Sequence, residues 1–275
     1  MNNIFILCKR GSMSSRLLSR KLHLPRTYWQ GNNGPIGATH LINWGVFGDP
    51  RRRYMAKYPE SNRLPTLNRE LPGSKYHIAK IFEDIAPATK RRLTEPESGW
   101  IYKPFYSAKG KNIHRIDDPD ECDWDHGYAQ QEVFPRKYEV RVAAFGWTDP
   151  HTWGFYKKIA KNVDKSQLCW NHDQGGTFVK VTFPFDYGLF QRCAVHSAQI
   201  LDVLQLDFGA IDFIVDGDGK EWFLEINLQP GFSEGYDAET YLHPFRVLVN
   251  ESDEFIYKTF AGVRHVLFGA IQTSE

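Results

Sequence analysis

Two apolar strands separated by a tight turn constrain the fold of this chain more than any other feature. Residues 209–215 and 221–226 are rich in β-branched and aromatic residues, and Asp216-Gly217-Asp218-Gly219 stands between them. Asp-Gly between two such runs is a strong indication of a β-hairpin. We therefore expect an antiparallel strand pair, whose register decides where its polar residues point.

Three polar residues of this hairpin are predicted to share a face. Residues two apart on a strand point to the same side, so Glu225 and Asn227 point together, with Leu224 and Ile226 on the opposite, buried face. Asp212 on the partner strand can come opposite them. Two carboxylates and an amide oxygen suit Mg²⁺, with Mn²⁺ as a second candidate, and the remaining ligands would be phosphates and water. The alternative, a solvated strand face, is less favoured because the three polar groups cluster beside apolar strands.

Composition limits the class of protein. The chain has 275 residues, a formal net charge of +1, 41% hydrophobic residues and 24% charged residues, which are ordinary values for a globular protein. Neither nucleic acid nor a membrane is indicated as a partner, and no apolar run approaches the ~20 residues that span a bilayer. The four cysteines lack C-x-x-C spacing, so no zinc site is expected. A reducing, cytoplasmic location is the simpler expectation, with Cys8 and Cys193 as buried thiols.

Periodicity along the chain predicts alternating helices and strands, and hence an α/β (α+β) fold. The predicted strands are residues 4–8, 100–103, 129–134, 138–145, 153–159, 209–215 and 221–226, of which 138–145 and 153–159 form a hairpin. The predicted helices run from a cap at Ser12 or Ser14 through Leu22, over 75–85 and 190–204, and over 252–268 from a cap at Ser252.

The opening third is weakly patterned, because residues 29–73 are rich in Gly, Asn, Pro and Arg. We interpret it as a small α/β subdomain with long loops. Trp44 is more consistent with packing in a small core than with facing a site. The run Arg51 to Arg53 is typical of a solvated face. The alternative is that loop arginines, these and Arg136 among them, receive an acidic amino acid or a peptide carboxylate.

The polar residues of the hairpin occur in a sequence that resembles a family motif. Asp212, followed by Leu-Glu225-Ile-Asn227 and then Pro230-Gly231, resembles the D…E-x-N…PG magnesium motif of ATP-grasp enzymes, especially RimK-like ligases. The resemblance spans about residues 75–235. It implies an ATP-grasp fold, in which two α+β subdomains sandwich ATP beside a small N-terminal α/β subdomain. The implied boundaries are 1–72 for a pre-ATP-grasp-like subdomain, 73–132 for the ATP-grasp N-terminal (lid) subdomain, and 133–275 for the C-terminal subdomain with the metal site.

Segments upstream resemble the family's phosphate-binding parts in chain order. Lys75 begins a helix that ends at a proline, and Lys103 ends the strand that carries a phosphate-contacting lysine in the family. Gly110 and Lys111 lie in a segment that resembles the loop closing over the phosphates. Taken alone, Lys103 could instead extend to solvent, and a loop with one glycine could be an ordinary surface turn.

The next segment resembles the strand against which adenine packs. Gln131, Glu132 and Phe134 would belong to that hinge, and Glu139, seven residues after Glu132, would bind the ribose hydroxyls. Arg141 would then reach the transferred phosphate or an acyl phosphate. The alternative for the charges of this strand is a cross-strand salt bridge.

Two further segments complete the resemblance. Lys157, on the partner strand, would lie near the γ-phosphate, and Asn171 with Gly175-Gly176 resembles the N-x-x-x-G-G segment of RimK-like ligases. The family often has Arg two residues before this Asn, whereas this chain has Cys169. One phosphate contact is therefore absent or supplied by another residue, for which Lys161 and Lys165 are the candidates.

The resemblance implies a function that uses ATP and Mg²⁺. A ligase of this kind phosphorylates a small-molecule or peptide carboxylate, and an amine then attacks the acyl phosphate. No convincing Ser-His or Cys-His pair is present, in keeping with chemistry that needs no protein nucleophile. The alternatives are a kinase with the same fold and a nucleotide-binding module without chemistry. The carboxylate and the acceptor stay undefined at this point.

Overall fold

The computed structural model describes residues 3–70, 73–106, 110–160, 168–170, 176–181, 187–232, 236–251 and 253–260. Thirteen strands lie in this part of the chain: β1 Ile4–Cys8, β2 Arg26–Tyr28, β3 His40–Trp44, β4 Thr66–Leu67, β5 Thr89–Lys90, β6 Trp100–Pro104, β7 His114–Arg115, β8 Gly127–Gln131, β9 Arg136–Phe145, β10 Gly154–Ala160, β11 Gly176–Lys180, β12 Phe208–Asp216 and β13 Glu221–Asn227. The α-helices there are α1 Met13–Leu22, α2 Gly48–Lys57, α3 Lys75–Ile81, α4 Tyr187–Val203, α5 Tyr236–Asn250 and α6 Asp253–Phe260.

The N-terminal sheet has the strand order β2-β1-β3-β4, and each neighbouring pair is parallel. Parallel strands need crossover connections, and α1 provides the one between β1 and β2. As predicted, Ser12 caps α1, and its hydroxyl accepts a hydrogen bond from the Ser15 backbone N–H at 3.3 Å. The expected N-terminal α/β arrangement is thus observed.

Two antiparallel sheets follow. The middle sheet has the order β5-β8-β6-β7, and the five-stranded sheet has the order β11-β10-β9-β12-β13. The middle sheet has a separate small core, which includes Leu93, Trp100 and Tyr102. The main core joins the five-stranded sheet to the N-terminal sheet through residues such as Phe145 and Trp44. Residues of both antiparallel sheets line a cleft between them.

A polar junction and an aromatic cluster fix the N-terminal sheet against the five-stranded sheet. The buried Asn68 side chain accepts a hydrogen bond from the Asp207 backbone N–H at 2.8 Å and donates one to the Phe208 carbonyl at 2.9 Å. Trp44, fully buried, stacks on Phe208 with ring centroids 5.4 Å apart, which confirms its predicted packing role.

The predicted elements agree with the structure in type, and the differences lie mainly at their ends. Both predicted hairpins are confirmed, since β9 pairs with β10 and β12 with β13 in antiparallel register. The strand expected over 129–134 is observed as Gly127–Gln131, before Pro135, which has no N–H to donate to a ladder. The helix expected over 75–85 ends at Ile81. Helix α5 was not predicted.

The predicted C-terminal helix falls partly on the described chain. Helix α6 occupies Asp253–Phe260, while Ser252 and residues 261–268 lie outside the described residues. Among the described residues, no helix is long and apolar enough to cross a membrane. Cys8 and Cys193 are buried with no exposed surface, as expected.

Candidate functional site

Three charged residues lie side by side across three strands of the five-stranded sheet. The Cα register pairs Asp212 on β12 with Arg141 on β9 and with Glu225 on β13. The Arg141 guanidinium donates from Nε to Asp212 Oδ1 and from Nη2 to Asp212 Oδ2, both at 2.7 Å. This bidentate geometry fixes the planes of both groups. The predicted approach of Asp212 to Glu225 is therefore confirmed.

A β-bulge turns two consecutive residues of β13 toward the same cleft. The register pairs Asp212 with Glu225 but Phe213 with Phe223, so Leu224 has no partner. An extra residue in one strand shifts its alternation by one position. Phe213 and Phe223 consequently pack together in the core, whereas Leu224 lines the cleft. The expectation that Leu224 is buried on the far face is wrong for this reason.

Asn227 lies two residues beyond Glu225 on β13, at the register of Ala210. Its Oδ1 accepts a hydrogen bond from the Gln229 backbone N–H at 2.9 Å, which orients the amide at the end of the strand. Ile226 packs against the main core, as predicted. Asn227 is not among the residues that line the cleft, although it follows them directly.

The central cleft lies between the five-stranded sheet and the middle sheet. Its charged lining residues are Lys75, Lys103, Glu132, Arg136, Glu139, Arg141, Lys158, Asp212 and Glu225. They come from both sheets and from α3, so the cleft exists only when these elements are assembled. Concave sites lined by several buried ionisable groups are the usual place for binding and chemistry.

Two lysines bring positive charge to this cleft. The Lys75 ammonium, at the start of α3, forms a short ion pair with Glu225, 150 residues later. Lys103 on β6 is only 3% exposed, and its Nζ donates to Gln130 Oε1 at 2.8 Å. It does not extend to solvent, so that alternative is excluded. Burial, reinforced by the nearby Lys75, lowers the pKa of Lys103 to about 8.

Neighbouring charges offset the effect of burial on Glu225 and on Arg141. Burial alone would raise the pKa of Glu225, but Lys75 and then Lys103 and Arg141 hold it below its ordinary value. Burial alone would lower the pKa of Arg141, yet Asp212 raises it. Glu225 therefore remains ionised near neutral pH, as a metal ligand must be.

Glu139 lies in a cross-strand ion pair. Its Oε2 accepts from Lys158 Nζ at 2.8 Å and its Oε1 from Arg136 Nη1 at 2.9 Å. Lys158 is opposite Glu139 in the register of β9 and β10 and lines the cleft. Lys157 instead lies 4.0 Å from the Tyr138 ring centroid and does not line the cleft, because neighbouring strand residues point to opposite faces. The lysine that β10 contributes to the cleft is thus Lys158 and not the predicted Lys157.

The predicted hinge is only partly in the cleft. Gln131, Glu132 and Val133 line it. Glu132 is held by Arg115, which donates from Nη2 at 2.7 Å and from Nε at 2.9 Å. Phe134 is 69% exposed and does not line the cleft.

The predicted phosphate loop contributes its glycine. Gly110 lines the cleft with a positive φ of 66°, which glycine adopts without strain, whereas Lys111 is exposed and does not line it. Residues 107–109, Lys161, Lys165, Asn171 and Gly175 lie outside the described residues. Cys169 lines the cleft, and burial raises the pKa of its thiol.

Arg136 lines the cleft beside residues 168–170. Its Nη2 donates to the Leu168 carbonyl at 2.8 Å, and its guanidinium lies 5.0 Å from the Trp170 ring centroid. Arg136 thereby brings a cation beside the segment that contains Cys169. The sequence suggests Arg136 only as a loop arginine, although its position three residues before Glu139 is compatible with an ion pair.

Solved structures share the fold of this chain, whereas no protein-family model and no curated protein matches its sequence. The ATP-grasp ligase PsnB, complexed with a phosphomimetic variant of a minimal precursor, Mg and ADP, matches with a TM-score of 0.58 at 13% identity, over 94% of this chain and 99% of PsnB. D-alanine–D-alanine ligase from Bacillus anthracis matches with a TM-score of 0.57 at 14% identity, over 96% and 99% of the two chains. The fold is the ATP-grasp fold. The macrocyclase MdnC from Microcystis aeruginosa, bound with precursor peptide MdnA, matches with a TM-score of 0.55 at 14% identity, over 90% of this chain and 99% of MdnC.

Within the ATP-grasp fold, the donor set of the cleft fits a divalent cation. Asp212 and Glu225 are carboxylate oxygen donors on neighbouring strands, and the Asn227 amide follows Glu225 on β13. Among the described residues, no group of three or more His, Cys, Asp or Glu side chains forms a closed metal site. Two carboxylates without a full protein cage suit Mg²⁺, which keeps coordination positions for phosphate and water.

Proposed function

We propose that this chain is an ATP- and Mg²⁺-dependent ligase that joins a carboxylate to an amine and releases ADP and phosphate. The observation that carries the proposal is the row Arg141, Asp212 and Glu225 on one sheet, facing Lys103 on the other, inside an ATP-grasp fold. Cations and ionised oxygen donors thus converge in one cleft, as the transfer of a phosphoryl group requires.

The residues present define how MgATP would be held. Asp212, Glu225 and Asn227 would hold the metal, which neutralises phosphate charge when bound, and Mn²⁺ would fit the same oxygen donors. Lys75 and Lys103 would contact phosphate oxygens, since both ammonium groups lie beside Glu225 or act on it electrostatically. The similar PsnB structure is complexed with Mg and ADP, which supports this pairing of ligands.

The hinge and the ribose contact follow from the remaining lining residues. Gln131, Glu132 and Val133 would border the adenine. Glu139 would accept hydrogen bonds from the ribose hydroxyls, and for this it would have to give up its contact with Lys158 or with Arg136. We place Lys158, not Lys157, near the γ-phosphate. Gly110, Lys111, Phe134 and Asn171 keep their roles from the resemblance as predictions.

The chemistry proceeds in two balanced steps. A substrate carboxylate oxygen attacks the γ-phosphorus of ATP, the bond to ADP breaks, and an acyl phosphate forms. An amine then attacks the acyl carbon, phosphate leaves with the bonding electrons, and the amine loses a proton. Arg141 and Lys158 would stabilise the negative charge of the transferred group, and burial of the cleft strengthens these interactions. No protein nucleophile takes part.

The substrate class and the finer assignment rest on similarity. PsnB and MdnC are bound to precursor peptides in the similar structures, which supports a peptide or amino-acid carboxylate here. We assign the RimK-like subtype from the Asp212 to Gly231 motif. We also propose that residues 1–72, 73–132 and 133–275 act as the three units of the enzyme.

The test is a screen for ADP release with MgATP across amino acids and acidic peptides, followed by mass spectrometry of the products. A ligase yields a product equal to two substrates minus water. A product that instead gains only a phosphate group identifies a kinase, and nucleotide binding without any turnover identifies a binding module. Either of these two results overturns the ligase proposal.

A further inference from the structure

A second cavity, here named the arginine pocket, lies beside helix α2. Its polar lining is dominated by Arg51, Arg52 and Arg69, with Glu70 as the lining carboxylate. Phe47, Met55 and Tyr106 form apolar walls. Three guanidinium groups against one carboxylate give the pocket an excess of positive charge.

Arg51 is the residue that most needs a partner. Its Nη1 is buried and has no hydrogen-bond partner in the described part of the chain. Burial, and after it the nearby Arg69, lowers the pKa of Arg51, while Glu70 acts in the opposite direction. A buried donor without a protein partner costs free energy unless a water, an ion or a ligand completes the contact.

The other two arginines are incompletely occupied by the protein. Arg52 Nη2 contacts Asp49 Oδ1 at 2.5 Å, and the side chains of this pair are 80% and 69% exposed, so water screens the contact. Arg69 Nη2 reaches the Asn62 carbonyl at 3.4 Å, which is a long hydrogen bond. Both guanidinium groups keep donors available to a ligand.

The arginine pocket adjoins the central cleft along the chain at two points. Gly73 lines the pocket two residues before Lys75, and Tyr106 lines it three residues after Lys103. The loop that leads into α2 also touches the end of β13, because a Cβ on Gly45 would lie 2.6 Å from Gln229 Cβ. The two sites are therefore joined by short segments of chain.

We propose that the arginine pocket binds a carboxylate of an acidic amino-acid residue in the substrate and so positions that substrate for ligation. This inference deepens the proposed function and rests on it. A guanidinium group binds a carboxylate through two parallel hydrogen bonds. The apolar walls suit the methylene stem of a Glu or Asp residue, which a free phosphate ion lacks.

The probe is a short fluorescein-labelled peptide that carries consecutive glutamates, with its all-glutamine counterpart as the uncharged control. Binding to the full chain is measured by fluorescence anisotropy. Arg51→Gln removes the charge whose donor lacks a partner. Arg53→Gln is the matched control, because Arg53 is exposed on the same helix and does not line the pocket.

We expect Arg51→Gln to weaken binding of the glutamate peptide about tenfold, the usual loss for one hydrogen bond between charged groups. Arg53→Gln and wild type should bind alike, and the glutamine peptide should bind neither. Equal affinity of Arg51→Gln and wild type overturns the proposal. If Arg51→Gln does not fold, Arg69→Gln replaces it with the same expectation.

Two further measurements separate the outcomes. Inorganic phosphate and free glutamate compete against the labelled peptide, and displacement by phosphate at the lower concentration overturns a carboxylate site. MgADP affinity should be unchanged in Arg51→Gln. If peptide binding depends on Arg51 while no ligation product is found with any substrate, the pocket stands and the ligase proposal fails. If ligation is found and peptide binding does not depend on Arg51, the pocket proposal fails and the ligase proposal stands.

Discussion

The central cleft and the arginine pocket differ in how their charged side chains are paired. In the cleft, Arg141 is paired with Asp212 and Lys75 with Glu225, so each of these four side chains contacts one of opposite charge. In the pocket, Arg51 has a buried Nη1 without a partner in the described chain.

This difference teaches what each region requires from a ligand. The cleft holds both signs of charge, so it can receive a metal at its carboxylates and phosphates at its cations. The pocket holds an excess of one sign, so only an anion completes it. Substitutions that break a pair should therefore harm the cleft, and loss of a charge should relieve the pocket.

The largest expected effect is on the buried pair of the cleft. Arg141→Met leaves Asp212, 8% exposed in its side chain, without its bidentate partner. Removing one member of a buried ion pair destabilises a protein by about 3 to 5 kcal/mol. Urea denaturation measures the change, and Arg141→Met/Asp212→Leu should recover much of the loss. A single variant as stable as wild type would contradict the account of this pair.

The next effect concerns catalysis. Glu225→Gln keeps the shape of the side chain but removes the charge that the proposed metal needs, so the rate of ADP formation should fall about 100-fold or more. Asp218→Asn, at the exposed turn of the same hairpin, is the control and should keep full activity. Undiminished ADP formation by Glu225→Gln would remove the metal assignment.

A smaller effect is a dependence of nucleotide affinity on pH. Lys103 has a pKa of about 8, so in the free protein it loses its charge as pH rises through this value. Affinity for MgADP should then fall by up to about tenfold per pH unit above about pH 8. Lys103→Arg stays charged and should flatten the profile, and identical profiles would exclude Lys103 from phosphate binding.

The same group should affect stability with the opposite sense. An unfolded lysine has its ordinary pKa of 10.5, so between about 8 and 10.5 the unfolded state binds more protons than the folded state. The free energy of unfolding should therefore rise with pH in this window by the Lys103 contribution. Urea denaturation of wild type and of Lys103→Met at several pH values measures this rise, because the variant lacks the titrating group and its free energy of unfolding should not show it.

The smallest effect belongs to the pocket. Arg51→Met removes an unpartnered buried donor and a charge that burial and Arg69 disfavour. The ligand-free chain should gain about 1 kcal/mol in stability, opposite in sign to Arg141→Met. Differential scanning calorimetry gives the sign directly. A loss of stability would show that Arg51 is already satisfied.

The strand pattern was enough to predict the hairpin and which polar residues it carries, but not their exact register. The turn, which pairs Phe213 with Phe223, would by itself place Asp212 opposite Leu224, and the β-bulge is what brings Glu225 there. The β-bulge at Leu224 could not be predicted, since it depends on how Phe213 and Phe223 pack together. A shift of one residue is also what separates Lys157 from Lys158.

Contacts between distant segments escaped prediction. Lys75 meets Glu225 across 150 residues, and such a pair leaves no periodic trace in the sequence. The arginine pocket lies in the weakly patterned opening third, where Arg51 and Arg53 are indistinguishable until α2 is placed against its neighbours. The family resemblance supplied expected roles for Glu139 and Arg141. The cross-strand salt bridge considered as the alternative is observed for both, although the partners Lys158 and Asp212 emerged only with the fold.

The Asn68 junction has a consequence for how the chain folds during synthesis. Its partners Asp207 and Phe208 follow 139 and 140 residues later. The N-terminal sheet is made first, yet its buried amide and the face of Trp44 have no partner until the ribosome has passed Phe208. Contacts so distant in sequence form late, and unsatisfied apolar surface favours association with other chains. Nascent chains that stop before this point should therefore be substrates for chaperones.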